Sequence, residues 1–158
     1  MFRPATLAAA LCALALPALA DPLPKGARPL SEKALAKMYA GTTLNWTTSR
    51  AYFAPDGSLK GIAGKNRLGD TLFWGRWTVK GNEVCMSGPF RNRTTGKTGT
   101  TTDCWKWFLG PDRQPWTLWS VHYDGSAPDL AEGYSREEIT RMRRGDGVSA
   151  TFDRLWKG

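Results

Sequence analysis

The chain has 158 residues, with 22 lysines and arginines against 14 aspartates and glutamates, and only one histidine. That length suits one domain with a core of useful size, and a single histidine excludes a clustered His-based metal centre, so no metal or cofactor is expected. The net charge of +8 favours anionic partners, such as an envelope lipid or glycan or an acidic protein, unless it is only a solvated basic surface.

Residues 1–20 read as an export signal. Arg3 supplies a positive start, Ala5 to Leu19 is an apolar run, and Ala18-Leu19-Ala20 is a small-x-small cleavage pattern, so the mature chain is expected to begin at Asp21. The run is too short and alanine-rich for a membrane span, and none of spanning length follows. The expectation is a soluble periplasmic or secreted protein. Cys12 leaves with the signal, which leaves Cys85 and Cys104. Two cysteines in an exported domain usually pair.

Residues 21–29 form a proline-rich leader, extended and mobile, and residues 30–158 a single domain. Leu30 to Gly41 reads as a short helix, with Ser31 as N-cap and Gly41 as stop. From Thr42 the apolar period falls to two. Strands are predicted over Thr42–Trp46, Arg50–Phe53, Ser58–Ile62, Leu72–Val79, Glu83–Met86, Thr101–Leu109 and Trp116–Tyr123. Their turns include Ala54-Pro55-Asp56-Gly57 and Lys80-Gly81-Asn82. Ser87–Thr100 is read as a long exposed loop. Ser135 followed by Glu138 is a capping box, which predicts a helix through Arg144. Val148–Phe152 is read as an eighth, closing strand.

Alternation assigns faces. Trp77 and Val79, Val84 and Met86, and Trp105, Trp107 and Leu109 fall on one side of their strands; Cys85 and Cys104 fall on the other, with charged neighbours. A disulfide would therefore staple the outer face. Phe108 shares the cysteine side, which implies partial cover there, with the first helix as a candidate. The fold expected is all-β: a small antiparallel lipocalin-like meander barrel with a short N-terminal and a short C-terminal helix.

The layout from Leu30 to Tyr123 resembles an exported proteobacterial family defined as domain of unknown function 995. The residues that carry the likeness are Leu30-Ser31, Gly41-Thr42, Tyr52-Phe53 with Asp56-Gly57, Gly75-Arg76-Trp77 with Val79, Cys85, and Cys104-Trp105. The turn glycine, the G-x-W element and the cysteine pair are also similar to lipocalin-type barrels. The resemblance implies a small secreted β domain and supplies no catalytic residues.

His122 and Asp124 share a face at a strand end, a conceivable acid–base pair at a barrel mouth, although a lone strand-end histidine is more often structural. Thr94-Thr95-Gly96-Lys97-Thr98 mimics the tail of a phosphate loop, but Arg91 stands where the first glycine is needed. Basic groups gather at Arg91, Arg93 and Lys97, and at Arg141, Arg143 and Arg144 on the expected basic helix; both groups are candidates for an anionic partner. The helix lacks interleaved aromatics, so no specific nucleic-acid partner is expected. Trp77, Trp105, Trp107 and Trp119 would line the barrel interior, either filling it or holding a small apolar ligand. The function expected is a non-catalytic, monomeric binding module for such a ligand or for an anionic envelope or protein partner. The alternatives are an enzyme using His122 and Asp124, and a protein inhibitor.

Overall fold

The computed structural model describes residues 22–122 and 133–157. The short strand β1 (Arg28–Pro29) precedes helix α1 (Glu32–Tyr39) and the strands β2 (Thr42–Asn45), β3 (Ser49–Phe53), β4 (Ser58–Ala63), β5 (Thr71–Lys80), β6 (Glu83–Asn92), β7 (Thr98–Leu109) and β8 (Pro115–Val121). A 3-10 turn (Glu138–Arg141), strand β9 (Met142–Arg144) and helix α2 (Ser149–Lys157) follow. Each strand from β2 to β8 pairs antiparallel with its neighbour in sequence, so the sheet is a meander. It curls into an open half-barrel: among the described residues β8 pairs only with β7 among the named strands, and the β2 edge is taken by β9.

The curl follows from the alternation. Leu44, Ala51, Phe53, Leu59, Phe73, Trp77, Val84, Met86, Trp105 and Trp107 form one buried inner cluster. Cys85 and Cys104 face each other across β6 and β7, between the inward pairs Val84–Trp105 and Met86–Asp103, and they are disulfide-bonded. The staple therefore lies on the outer face, where a bridge spanning 19 residues stabilises the fold by roughly 3 kcal/mol in the chain-entropy model. Phe108 is covered by Tyr134, whose ring meets it edge-on at 5.7 Å, and not by α1.

α1 lies inside the curl. Ser31 caps it, its Oγ accepting from the Ala34 amide, and Leu35 and Tyr39 are fully buried in the inner cluster. A helix this short persists only by docking. Glu32 fixes its start to the β5–β6 turn by accepting from the Gly81 amide at 2.9 Å.

The structure departs from the sequence expectations in three regions of the chain. The first concerns 87–100: β6 runs on to Asn92 and β7 begins at Thr98, leaving a tight hairpin instead of a long loop. Two of its glycines, Gly88 and Gly99, serve close packing. A Cβ on Gly88 would lie 1.9 Å from the Trp74 carbonyl oxygen, and one on Gly99 would lie 2.8 Å from the Phe90 ring.

The second concerns 135–144, the expected basic helix. It makes a single 3-10 turn and then joins the sheet. Ser135 is held by two backbone bonds to Thr117, and the exposed β2 edge recruits Met142–Arg144 as a ladder. An unpaired sheet edge satisfies those amides as well as a helix does. The C-terminal helix lies later, and Val148–Phe152 mostly belongs to it instead of a closing strand. Asp146 caps that helix by accepting from the Val148 and Ser149 amides. Val148, Phe152 and Leu155 then fall at helical spacing and pack on Ile62, Leu72 and Trp74 on the outer face of the sheet.

Third, the predicted last strand extends to Tyr123, whereas β8 ends at Val121 and Tyr123 lies outside the described residues. At the other end, Arg28 and Pro29 of the expected leader pair with Leu109 and Phe108.

Candidate functional site

The curl has two ends. At one lie α1 and the 54–57, 80–83 and 110–115 turns; at the other lie the 46–49, 63–71 and 92–98 connections. The first end is filled. Tyr39 packs edge-on to Phe53 at 4.9 Å and to Trp107 at 6.1 Å. Both indoles there have acceptors: Trp107 donates to the Tyr39 hydroxyl, and Trp77 to the Ala54 carbonyl.

The second end is hollow. A cavity of about 750 Å³ opens between Trp46, Phe73, Phe90, Trp105 and Trp119, with Met86 in its wall. That volume falls in the range of about 300–1,000 Å³ usual for small-molecule sites. Phe73 and Phe90 are cross-strand partners, and each lies over a glycine, Gly61 and Gly99 respectively. A Cβ at Gly61 would fall 1.9 Å from the Phe73 ring, so that glycine gives the ring its place. Trp46 stacks nearly parallel on Trp105 at 5.8 Å, and Trp119 leans on Trp105 at 5.4 Å, tilted by 41°.

The lining also carries the hydroxyls of Thr47, Thr48, Ser49, Thr71 and Thr101 and three charged groups, Lys65, Asp103 and Arg141. Asp103, only 6% exposed, lies on the inward face of β7 two residues before Trp105 and lines the cavity. Arg141 lines it from the 3-10 turn and is paired with Glu137 at 3.0 Å and Glu138 at 3.3 Å. Glu138 is itself buried and accepts from the Trp46 indole at 2.8 Å. Burial pushes its carboxyl pKa above the usual 4.5, and the bonds from Trp46 and Arg141 offset only part of that. Burial, and then the Glu138 carboxylate, push the Tyr39 hydroxyl well above its usual 10.0. The strap from Ser135 to Arg144 thus ties β8 to β2 and reaches into the interior through Glu138.

The four tryptophans expected in the interior are all there, but divided. Trp105 and Trp119 line the cavity, whereas Trp77 and Trp107 belong to the filled end. His122 lies beside Trp119, ring centres 6.0 Å apart; Asp124 lies outside the described residues. The basic groups are dispersed. The Arg91 guanidinium covers the Trp156 ring at 4.9 Å, while Arg93 and Lys97 flank the β6–β7 turn. Arg143 donates to the Thr140 and Met142 carbonyls, and Arg144 donates to the Lys37 and Ala40 carbonyls at the end of α1. Trp46, Asp103 and Glu138 were missed by the sequence reading. Asp103 carried a signal, since it shares a strand face with Trp105 and Trp107.

Among the described residues no group of three or more His, Cys, Asp or Glu is placed to hold a metal ion, and no helix is long and apolar enough to cross a membrane. A family model described as "Protein of unknown function (DUF995)" matches residues 5–121, most of the chain. The chain belongs to the DUF995 family. The match takes in Trp46, Asp103, Trp105 and Trp119 and ends before the strap and α2. No curated protein and no solved structure matches the chain.

Proposed function

We propose that the protein is an exported, non-catalytic binding module that takes a small, largely apolar ligand into the hollow end of its curled sheet. The observation that carries this reading is the cavity of about 750 Å³ walled by Trp46, Phe73, Phe90, Trp105 and Trp119. Apolar lining with a few placed polar groups is the usual make-up of small-molecule sites. The Cys85–Cys104 bridge suits an oxidising compartment outside the cytoplasm, in keeping with cleavage after Ala20 and a periplasmic or secreted location.

The test uses the uncharged fluorophore N-phenyl-1-naphthylamine. Saturable binding with one site per chain is expected, weakened at least fivefold by Trp119→Ala and unchanged by Trp116→Ala, on the outer side of the same strand. Absence of saturable binding, or equal loss in both variants, overturns the reading. N-terminal sequencing of the exported protein checks the location; a start at Asp21 is expected.

A further inference from the structure

The hollow end of the curl is bounded by the 46–49, 63–71 and 92–98 connections, and hydrogen bonds join these into one rim. The Gly64 amide donates to the Thr48 carbonyl at 2.9 Å, and the Arg93 amide donates to the Asp70 carbonyl at 2.7 Å. α2 lies over the outer face of the sheet and ends against the same rim. A Cβ on Gly69 would lie 2.6 Å from Leu155 Cδ1, and the Arg91 guanidinium, near the end of β6, lies over the Trp156 ring.

This rim is basic. Lys65 and Arg67 stand in the second connection, Arg93 and Lys97 in the third, and Arg154 and Lys157 on the last turn of α2. Asp70 is the only carboxylate in those segments, and it is paired with Arg67 at 3.2 Å. Asp153, just before them on α2, is paired with Lys60 at 2.7 Å. Lys65, Lys97, Arg154 and Lys157 are exposed. The filled end is mixed in sign instead, with Asp56, Glu83 and Asp112 in its turns and Glu32 at the start of α1.

Trp156 stands among the rim cations. It is 43% exposed, and its ring is held by a stack on Phe152 at 5.7 Å. The apolar side of α2, with Val148, Phe152 and Leu155, is already occupied by the sheet. The helix therefore offers a partner its basic end and one indole, not an apolar face. Lysines and arginines close to anionic headgroups, with tryptophan at headgroup depth, hold a protein on the surface of a bilayer. A soluble acidic polymer would match the charge, but neither Trp156 nor the apolar hollow that opens beside Lys65 inside the rim.

The geometry points to an anionic phospholipid bilayer as the partner of this end: the rim lies on the headgroups, Trp156 enters them, and the hollow faces the membrane. Docking rests on the charges and the indole alone. That an apolar guest passes between bilayer and hollow rests on the proposed binding function, and it makes the bilayer the guest's source.

The full mature chain is floated with vesicles of phosphatidylcholine alone or mixed with phosphatidylglycerol. Flotation is run at about 0.1 M and about 1 M salt, between which the Debye length falls from about 10 Å to about 3 Å. Each basic residue near an anionic surface is worth about fivefold in affinity. Capture by the anionic vesicles is expected to be about tenfold or more tighter than by the neutral ones, and to be lost at high salt. Lys97→Ala with Lys157→Ala removes charge from the rim and should weaken capture about twentyfold. Lys33→Ala with Lys37→Ala removes as much exposed charge from α1, at the other end, and should change it by less than about twofold. Equal losses in the two double variants would mean capture by overall charge, and equal capture by both vesicles would mean no charge recognition; either overturns the docking. Tighter binding to soluble polygalacturonate than to the vesicles overturns it in favour of an acidic glycan. N-phenyl-1-naphthylamine, titrated without vesicles, separates the two claims. If it binds and the anionic vesicles do not, the docking falls and the binding function stands. If the rim holds the vesicles and the fluorophore finds no site, the docking stands and the passage of a guest falls with the binding function.

Discussion

The two ends of the curled sheet are built from the same material and do opposite things. Each carries inward tryptophans on β5, β7 or β8 and each draws on the same alternation. At the α1 end, Trp107 is wholly buried, Tyr39 fills the space between the indoles, and both indole N–H groups have acceptors. At the far end no helix of the described residues enters. There, among the described residues, the N–H groups of Trp105 and Trp119 have no hydrogen-bond partner, and a cavity takes the place of a side chain. The difference lies in a single element: one short helix turns half of an aromatic interior into a core and leaves the other half as a site. Tryptophan content alone therefore says nothing about binding; what decides is whether another part of the chain occupies the space.

The sharpest way to break this contrast is to truncate one tryptophan from each end. Trp107→Ala should cost about 3–5 kcal/mol of stability, the range for removing a large, fully packed side chain. Trp119→Ala, at the hollow end and half-buried, should cost about 1 kcal/mol. Urea denaturation midpoints of the two variants measure it. Equal losses would mean that the hollow end is as tightly packed as the filled one.

A smaller effect sharpens the same point. Tyr39→Phe keeps the ring packing and removes only the acceptor for the Trp107 indole. An unsatisfied buried donor costs about 1–3 kcal/mol, so a loss in that range is expected from chemical denaturation. The far end already tolerates indoles without acceptors, so the same deletion there has no counterpart. A Tyr39→Phe protein as stable as the parent would show that the hydroxyl contributes nothing beyond its packing.

How much of this was readable in the chain varies with the cause of each feature. The inner and outer faces of β5, β6 and β7 are written in alternation, as are the outward bridge and the Ser31 cap, because those are local rules. The strap was misread because its fate is set from outside. Ser135 and Glu138 satisfy a capping pattern, yet the unpaired edge of β2 holds the three residues that would have continued the helix. Gly88, Pro89, Gly96 and Gly99 look like loop signals; two of them are instead glycines required by a neighbouring backbone and a phenylalanine ring. The cavity was half legible. Alternation places Trp105 and Trp107 inward together, but nothing in it says that α1 reaches only Trp107. Asp103 was legible by the same rule, and its meaning depended on knowing which end it occupied.

The smallest expected effect concerns the strap that joins the two ends. Glu138 is buried, and its folded-state pKa lies above the usual 4.5. Between that value and the raised one the folded chain holds a proton that the unfolded chain has lost, so this group's contribution is fully present below pH 4.5 and is lost as pH rises through the folded pKa. Asp56 and Asp146 act in the opposite sense. Hydrogen bonds from Ser58 lower the first; for the second, burial raises the pKa but bonds from the Ser149 and Val148 amides outweigh it. Their contribution is lost as pH falls below 3.8, in parent and variant alike. Glu138→Gln should therefore leave the acid limb unchanged and flatten the decline above pH 4.5, read as the urea midpoint against pH. The effect is small because the bonds from Trp46 and Arg141 offset part of the burial cost. Parallel curves for parent and variant above that pH would mean that Glu138 is solvated, and that the strap does not seal the interior where it crosses from β8 to β2.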